Sequence, residues 1–195
     1  MDRRQIVVLG APAAGKSSLI AKYCNGSFNE RYYPSLETKL RRVVNFDDIQ
    51  YNCSIIDTEG QDQFSLFKEH HVTGTHGYIL VYSMCHRQSF DLVQVLYKKI
   101  MEYTGHASIA VVIVGCKADL ESNTLQPPSR QIERVDLEGW AKSVGAQWIE
   151  TSAKTGSHVD AAFELCLRQI KRQDVELHLE FQQNANNHVQ RCVFM

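Results

Sequence analysis

Gly10-Ala11-Pro12-Ala13-Ala14-Gly15-Lys16-Ser17 is the stretch on which the reading of this chain turns. A short apolar run, Ile6 to Leu9, precedes it, and an amphipathic run, Leu19 to Tyr23, follows. Strand, tight turn and helix start, in that order, are the context of a phosphate-binding loop. Its two glycines allow angles and close approaches that a Cβ would block. Backbone N–H groups of Ala13, Ala14, Gly15, Lys16, Ser17 and Ser18 are then expected to face phosphate oxygens, with the helix dipole adding positive potential. Lys16 would reach the β- and γ-phosphates as a point charge, and the Ser17 hydroxyl would ligate Mg²⁺. The rival reading, a chance glycine turn with an exposed lysine, leaves the flanking strand and helix without a purpose. A nucleotide is expected, although this motif does not say which one or whether hydrolysis follows.

At 195 residues the chain is long enough for one full core. We expect one domain over 1–175 and a flexible tail over 176–195. Apolar residues at 44% and charged residues at 22% are ordinary for a soluble protein. A net charge of -1 gives no reason to expect nucleic acid as a partner. Cys24, Cys53, Cys85, Cys116, Cys166 and Cys192 show no paired spacing for zinc or a disulfide framework. They read as reduced thiols, five of them in core elements. No stretch fits a signal peptide or a transmembrane helix, so a cytosolic protein is expected.

Strands are predicted at 5–9, 37–46, 49–56, 78–82, 110–114 and 147–150. Asp47-Asp48 is the turn between the second and third. Lys39, Arg41 and Arg42 suit an edge position for the second strand, whereas 78–82 and 110–114 are continuous apolar runs buried on both faces. Helices are predicted from about Lys16 to Cys24, around Phe90–Met101, over 135–144, and through Val159, Phe163, Cys166 and Ile170. Loops are expected at 27–36 and 120–130. The alternation predicts a doubly wound α/β fold whose ligand sits at the carboxyl ends of the strands. Val175, Leu177, Leu179 and Phe181 alternate with polar residues and fit no single element, and 182–191 reads as a flexible linker.

Other stretches fall on those strand ends. Asp57-Thr58-Glu59-Gly60-Gln61 puts an acid where Mg²⁺ is held, a glycine whose N–H can approach a γ-phosphate, and a glutamine able to orient water. Cys116-Lys117-Ala118-Asp119 offers a carboxylate to N1–H and the 2-amino group of guanine, donors that adenine lacks on that edge. The Lys117 stem can pack over the base. Thr151-Ser152-Ala153-Lys154 supplies N–H groups for the guanine O6.

Taken together, these motifs resemble the Ras superfamily of small GTPases across Gln5 to Ile170, and most nearly its Rheb group. Gly77-Tyr78-Ile79-Leu80-Val81-Tyr82-Ser83, Ser89-Phe90 and Gly60-Gln61-Asp62 carry the latter likeness. The resemblance implies a P-loop NTPase G domain: a mostly parallel six-stranded sheet with helices on both faces. It implies a GDP/GTP switch in signalling that binds guanine nucleotide with Mg²⁺ and hydrolyses GTP. An exchange factor, a GTPase-activating protein and an effector would act on it, with a TOR kinase complex downstream. It assigns catalysis to Gln61, Lys16 and Gly60, and Mg²⁺ to Ser17, Ser35 and Asp57. It also assigns nucleotide contacts to Phe28, Tyr32, Ser35, Cys116, Leu120, Ser152, Ala153 and Lys154. Phe28, Tyr32, Pro34, Ser35 and Glu37 fall in the family's first switch, and Asp57–Gln61 in its second.

The departures from that family predict slow hydrolysis and weaker nucleotide binding. Pro12 replaces glycine or, in the Rheb group, arginine, and lacks an N–H. Ser35 keeps the hydroxyl of the usual threonine but loses its methyl. Cys116 replaces asparagine and loses hydrogen bonds to the base and the loop. Glu59 replaces alanine; pointing inward, a carboxylate about 5 Å from a phosphate charge would be repelled by roughly 3 kcal/mol at an effective dielectric of 20. The alternatives are that it swings to solvent or competes as a Mg²⁺ ligand. The chain ends Cys192-Val193-Phe194-Met195, a C-a-a-X pattern whose Met favours farnesyl. One lipid chain without a polybasic patch implies weak, reversible attachment to the cytoplasmic face of the plasma membrane or endomembranes. Eight histidines, His70-His71 among them, read as surface or packing groups on the second-switch helix, without clustered carboxylates. Two other classes stay open: a nucleotide-bound scaffold that does not hydrolyse, and an ATP-using P-loop kinase, which Asp119 disfavours.

Overall fold

In the computed structural model, the described residues are 2–31, 36–65, 68–105, 109–122 and 130–193, without the side chains of 69, 121, 122 and 180–193. The strands are β1 (Asp2–Gly10), β2 (Thr38–Phe46), β3 (Ile49–Asp57), β4 (Gly77–Ser83), β5 (Val111–Cys116) and β6 (Gln147–Glu150). They form one sheet in the order β2-β3-β1-β4-β5-β6. β2 runs antiparallel to β3, and every other pair is parallel. The polar strand β2 is therefore at an edge, as its lysine and arginines require. Asp47 and Asp48 turn the β2–β3 hairpin with φ of 49° and 62°, the doubly left-handed geometry that suits a two-residue turn.

The helices are α1 (Lys16–Asn25), α2 (Arg87–Thr104), α3 (Arg134–Ser143) and α4 (Val159–Val193). Strand alternation separates them. A Cβ on Gly77 would meet Cys166 and Ile170 of α4, whereas Tyr82 meets Phe90 of α2 edge-on at 5.2 Å. Residues 77 and 82 differ by an odd number, so they face opposite sides of β4. Tyr23 of α1 stacks on Phe163 of α4 at 3.7 Å, and Trp140 of α3 contacts Phe90 and Tyr97 of α2. Between these layers β4 and β5 are buried along their whole length, as their unbroken apolar runs demand.

Two expectations differ. α4 continues to Val193, so the backbone of 176–193 is helical where a flexible linker was expected. The segment has no glycine or proline to stop the helix, and Arg172 pairs with Glu176 one turn on at 3.0 Å. The alternation at 175–179 is then a helix surface, with Val175, Leu177 and Leu179 exposed. The 120–130 stretch begins as a short 3-10 turn, Ala118–Ser122; 123–129 lie outside the described residues. Among the cysteines, Cys53, Cys116 and Cys166 are buried, while Cys24 and Cys85 are half-buried; none of these five is in a disulfide.

Candidate functional site

β1, β3, β5 and β6 end on the same rim, at Gly10, Asp57, Cys116 and Glu150. The loops leaving that rim enclose a cleft of about 480 Å³, within the size range of small-molecule sites. Ala13, Gly15, Lys16, Ser17 and Ser18 line one wall, with Gly60 beside them. Cys116, Lys117, Asp119, Leu120, Ala153 and Lys154 line the far end, and Phe28 closes the side. Sequence positions from 13 to 154 thus meet in one place. The cleft also takes in Pro12 and Thr58, which belong to the motifs read from the sequence, and Asn29, Glu30 and Arg31, which sequence reasoning did not place there. Tyr32 and Ser35 lie outside the described residues.

The phosphate-loop turn is tight. Gly10 cannot carry a side chain, because a Cβ would lie 2.1 Å from the Val81 carbonyl oxygen. Ala13 takes the left-handed region at φ 55°, a strained angle for a residue with a Cβ. Lys16 is buried, and its Nζ donates to the carbonyls of Gly10 at 3.0 Å and Ala11 at 2.9 Å. Burial lowers its pKa to about 8, against the raising effect of Asp57. An anion entering the cleft would supply the charge partner that burial has removed.

Asp57 is 5% exposed. Burial pushes its carboxyl up, while a hydrogen bond from Ser17 and the charge of Lys16 pull it down. Its Oδ1 is buried without a hydrogen-bond partner. An orphaned carboxylate oxygen beside a serine hydroxyl is the donor set of a hard cation. These residues could hold Mg²⁺.

The base end is rigid. Thr151 N–H donates to the Gly115 carbonyl at 2.7 Å, and Ala118 N–H donates to the Thr151 carbonyl at 3.1 Å. Ser152 Oγ donates to Asp119 Oδ1 at 2.5 Å, which fixes the carboxylate. Lys154 reaches Glu30 at 2.7 Å. Cys116 is buried, its Sγ 3.5 Å from Thr151 Oγ1, and burial pushes the thiol up to about 11. A neutral thiol there offers little to a base.

Ala14, Ser152, Asp57 and Gln61 are buried and do not themselves line the cleft. Gln61 is buried, its side chain turned onto β1: Gly10 N–H donates to its Oε1 at 3.4 Å. Glu59 does not line the cleft but turns to solvent, the alternative to the inward, repelled position. It is half-exposed and 2.8 Å from Lys68 Nζ.

The histidine reading also needs correction. His70 and His71 lie on a short 3-10 turn, Glu69–His71, and both bind a carboxylate. His70 Nε2 is 2.6 Å from Glu37 Oε1, and His71 Nε2 is 2.9 Å from Glu37 Oε2. Burial opposes the Glu37 charge, but hydrogen bonds from His71, His70 and Lys68 outweigh it and hold the carboxyl near 2. Buried His71 is lowered, and so stays neutral.

The Ras family profile matches residues 5–172. The GTP-binding protein rhb1 of Schizosaccharomyces pombe is 35% identical over 170 residues, 87% of this chain and 89% of its own. The small monomeric GTPase RhbA of Aspergillus fumigatus is 34% identical over 87% of this chain and 88% of its own. GTPase RhebL1 of Mus musculus is 33% identical over 87% and 89%. With a six-stranded α/β sheet and a nucleotide-sized cleft over its phosphate loop, the chain belongs to the Ras family: it is a guanine-nucleotide-binding switch that hydrolyses GTP.

Proposed function

We propose that this GTPase holds Mg²⁺·GTP with Ser17, Asp57 and Ser35, reads guanine through Asp119, hydrolyses slowly, and signals from a membrane. The observation that supports the reading is a cleft lined by buried Lys16, by Ser17 and by the Ser152-braced Asp119, with the orphaned Oδ1 of Asp57 on a carboxyl that Ser17 hydrogen-bonds. Mg²⁺, when bound, would neutralise charge developing on the phosphate oxygens. The chain's own part is positioning. Lys16 would exchange its carbonyl partners for phosphate oxygens, Gly60 N–H would approach the γ-phosphate, and Gln61 would orient the attacking water. The γ-phosphoryl bond to GDP breaks as water attacks in line, giving GDP and phosphate.

Hydrolysis is slow in this reading because Gln61 starts docked on Gly10. Pro12 also crowds the space, since a Cβ on Gly60 would lie 2.6 Å from Pro12 Cα. Asp119→Asn tests base recognition. It should weaken GTP by more than about 100-fold and favour xanthine nucleotides, read by displacement of a fluorescent nucleotide. Wild type that binds ATP and GTP equally would sink the assignment.

Cys192 is proposed to carry one farnesyl chain, supported by the C-a-a-X ending. Cys192→Ser should then move the protein to the soluble fraction with nucleotide binding intact; unchanged membrane fractionation would refute the lipid. Similarity to proteins named for Rheb supports a place upstream of a TOR kinase complex, acting through an effector, an exchange factor and an activating protein.

A further inference from the structure

Glu37 stands just before β2, and His70 and His71 lie in the β3–β4 connection, 33 and 34 residues away. One carboxylate and two imidazole nitrogens converge there, all within 4.8 Å of one another. Each histidine meets a different oxygen of the same carboxylate through Nε2. The rings stand edge to face, with centroids 4.4 Å apart. We propose that Glu37, His70 and His71 form a site for a divalent transition-metal ion of the zinc class, tying the two connections together.

Two imidazoles and a carboxylate are an established ligand set for zinc, with the remaining coordination position left to solvent. Zinc–nitrogen and zinc–oxygen bonds of about 2.1 Å put ligand atoms of a tetrahedral site roughly 3.4 Å apart. An ion would replace the two hydrogen bonds, opening their N···O distances from 2.6 and 2.9 Å toward that spacing, with each neutral ring carrying its proton on Nδ1 and offering Nε2. Its anchor is fixed: the Tyr78 hydroxyl donates to the His71 carbonyl at 3.0 Å, and His71 N–H donates to the Lys68 carbonyl at 2.9 Å. His71 is 2% exposed and His70 55%, so the ion has both a built wall and an entry path. A neutral imidazole and an ionised carboxylate are the states that a metal takes.

Lys68 opposes the site, with Nζ 3.3 Å from Glu37 Oε2. It already has a second carboxylate, Glu59, at 2.8 Å. An arriving cation can displace the ammonium onto Glu59 without leaving it unpaired. The site is distinct from the nucleotide cleft, which none of the three ligands lines.

The test is titration of the full-length protein, with its co-purified nucleotide and excess Mg²⁺, using ZnCl₂ by calorimetry and CoCl₂ by absorption. Expected are one equivalent of Zn²⁺ and a tetrahedral Co²⁺ spectrum without thiolate charge-transfer bands. His70→Ala and Glu37→Gln should each weaken Zn²⁺ by at least about tenfold, the lower bound even for outer-shell partners of a ligand. His70→Ala should keep nucleotide affinity unchanged, which separates this site from the cleft. Thiolate bands in the Co²⁺ spectrum, no stoichiometric Zn²⁺, or unchanged Zn²⁺ affinity in both variants would overturn the proposal.

Discussion

Gln61 and Gly10 are joined twice: Gln61 N–H donates to the Gly10 carbonyl at 3.1 Å, and Gly10 N–H donates to Gln61 Oε1 at 3.4 Å. The side chain that should orient water is 7% exposed and held against the end of β1. To act, it must leave both the Gly10 N–H and its burial, and that equilibrium lowers the competent fraction.

This docking predicts a weak phenotype. A fully engaged water-positioning group is worth on the order of 100-fold or more. If only about a tenth of molecules release Gln61, its contribution shrinks about tenfold. Gln61→Ala should therefore slow single-turnover GTP hydrolysis by about tenfold or less. A fall of around 1,000-fold would show that nucleotide binding frees Gln61 completely.

Glu59 gives a second prediction, opposite to the one its position in sequence suggests. Paired with Lys68 and half-exposed, its charge is both partnered and solvated, and exposed pairs contribute little. Glu59→Ala should change single-turnover hydrolysis by less than about threefold. A larger acceleration would mean that the carboxylate turns inward when GTP is bound.

Those two residues show where sequence reading stops. The continuous apolar runs of β4 and β5, the polar β2 and the glycine-rich turn of the phosphate loop each state their environment locally, and the sheet followed from them. Asp57 and Asp119 were legible because a strand end fixes where the next side chain can go. Side-chain direction across a loop is not local. Gln61 turns back onto Gly10 and Glu59 outward to Lys68 by contacts made after folding. The Glu37–His70–His71 cluster is assembled by packing across more than 30 residues, with no spacing signal. The end of α4 was missed for another reason: its apolar residues alternate, and only the lack of a breaker spoke for helix.

A third prediction concerns acid stability. Glu150, 10% exposed at the end of β6, accepts from Arg130 and, at 2.8 Å, from Arg134. Burial alone would raise its carboxyl, but the two guanidiniums bring it below the ordinary 4.5. The unfolded chain therefore takes up the proton first, so this contribution is whole above that value and is lost as pH falls below it. Glu150→Gln should cost about 2 kcal/mol at neutral pH and flatten the fall in melting temperature between about pH 5 and 3. A variant whose melting curve still drops as steeply as wild type in that window would assign the acid transition to other carboxylates.

Cys116 decides a fourth. Its thiol lies at the base end of the cleft, 2% exposed, and a Cβ on Gly15 would come within 2.9 Å of its Cβ. Held neutral by burial, the sulfur makes one long contact with Thr151. An asparagine amide of nearly equal volume adds two donors and an acceptor facing the base and the phosphate loop. Two new hydrogen bonds at about 1 kcal/mol each should tighten guanine nucleotide by roughly 10- to 30-fold, read as slower release of a labelled GDP. The same amide, without a nucleotide, is a buried polar group short of partners, at a cost of about 1–3 kcal/mol. Cys116→Asn should thus melt below wild type when stripped of nucleotide and above it when loaded, whereas Cys116→Ser, too short to reach the base, should only lose stability. Release of GDP unchanged in the asparagine variant would mean that position 116 supports Thr151 and Gly15 and does not contact the base.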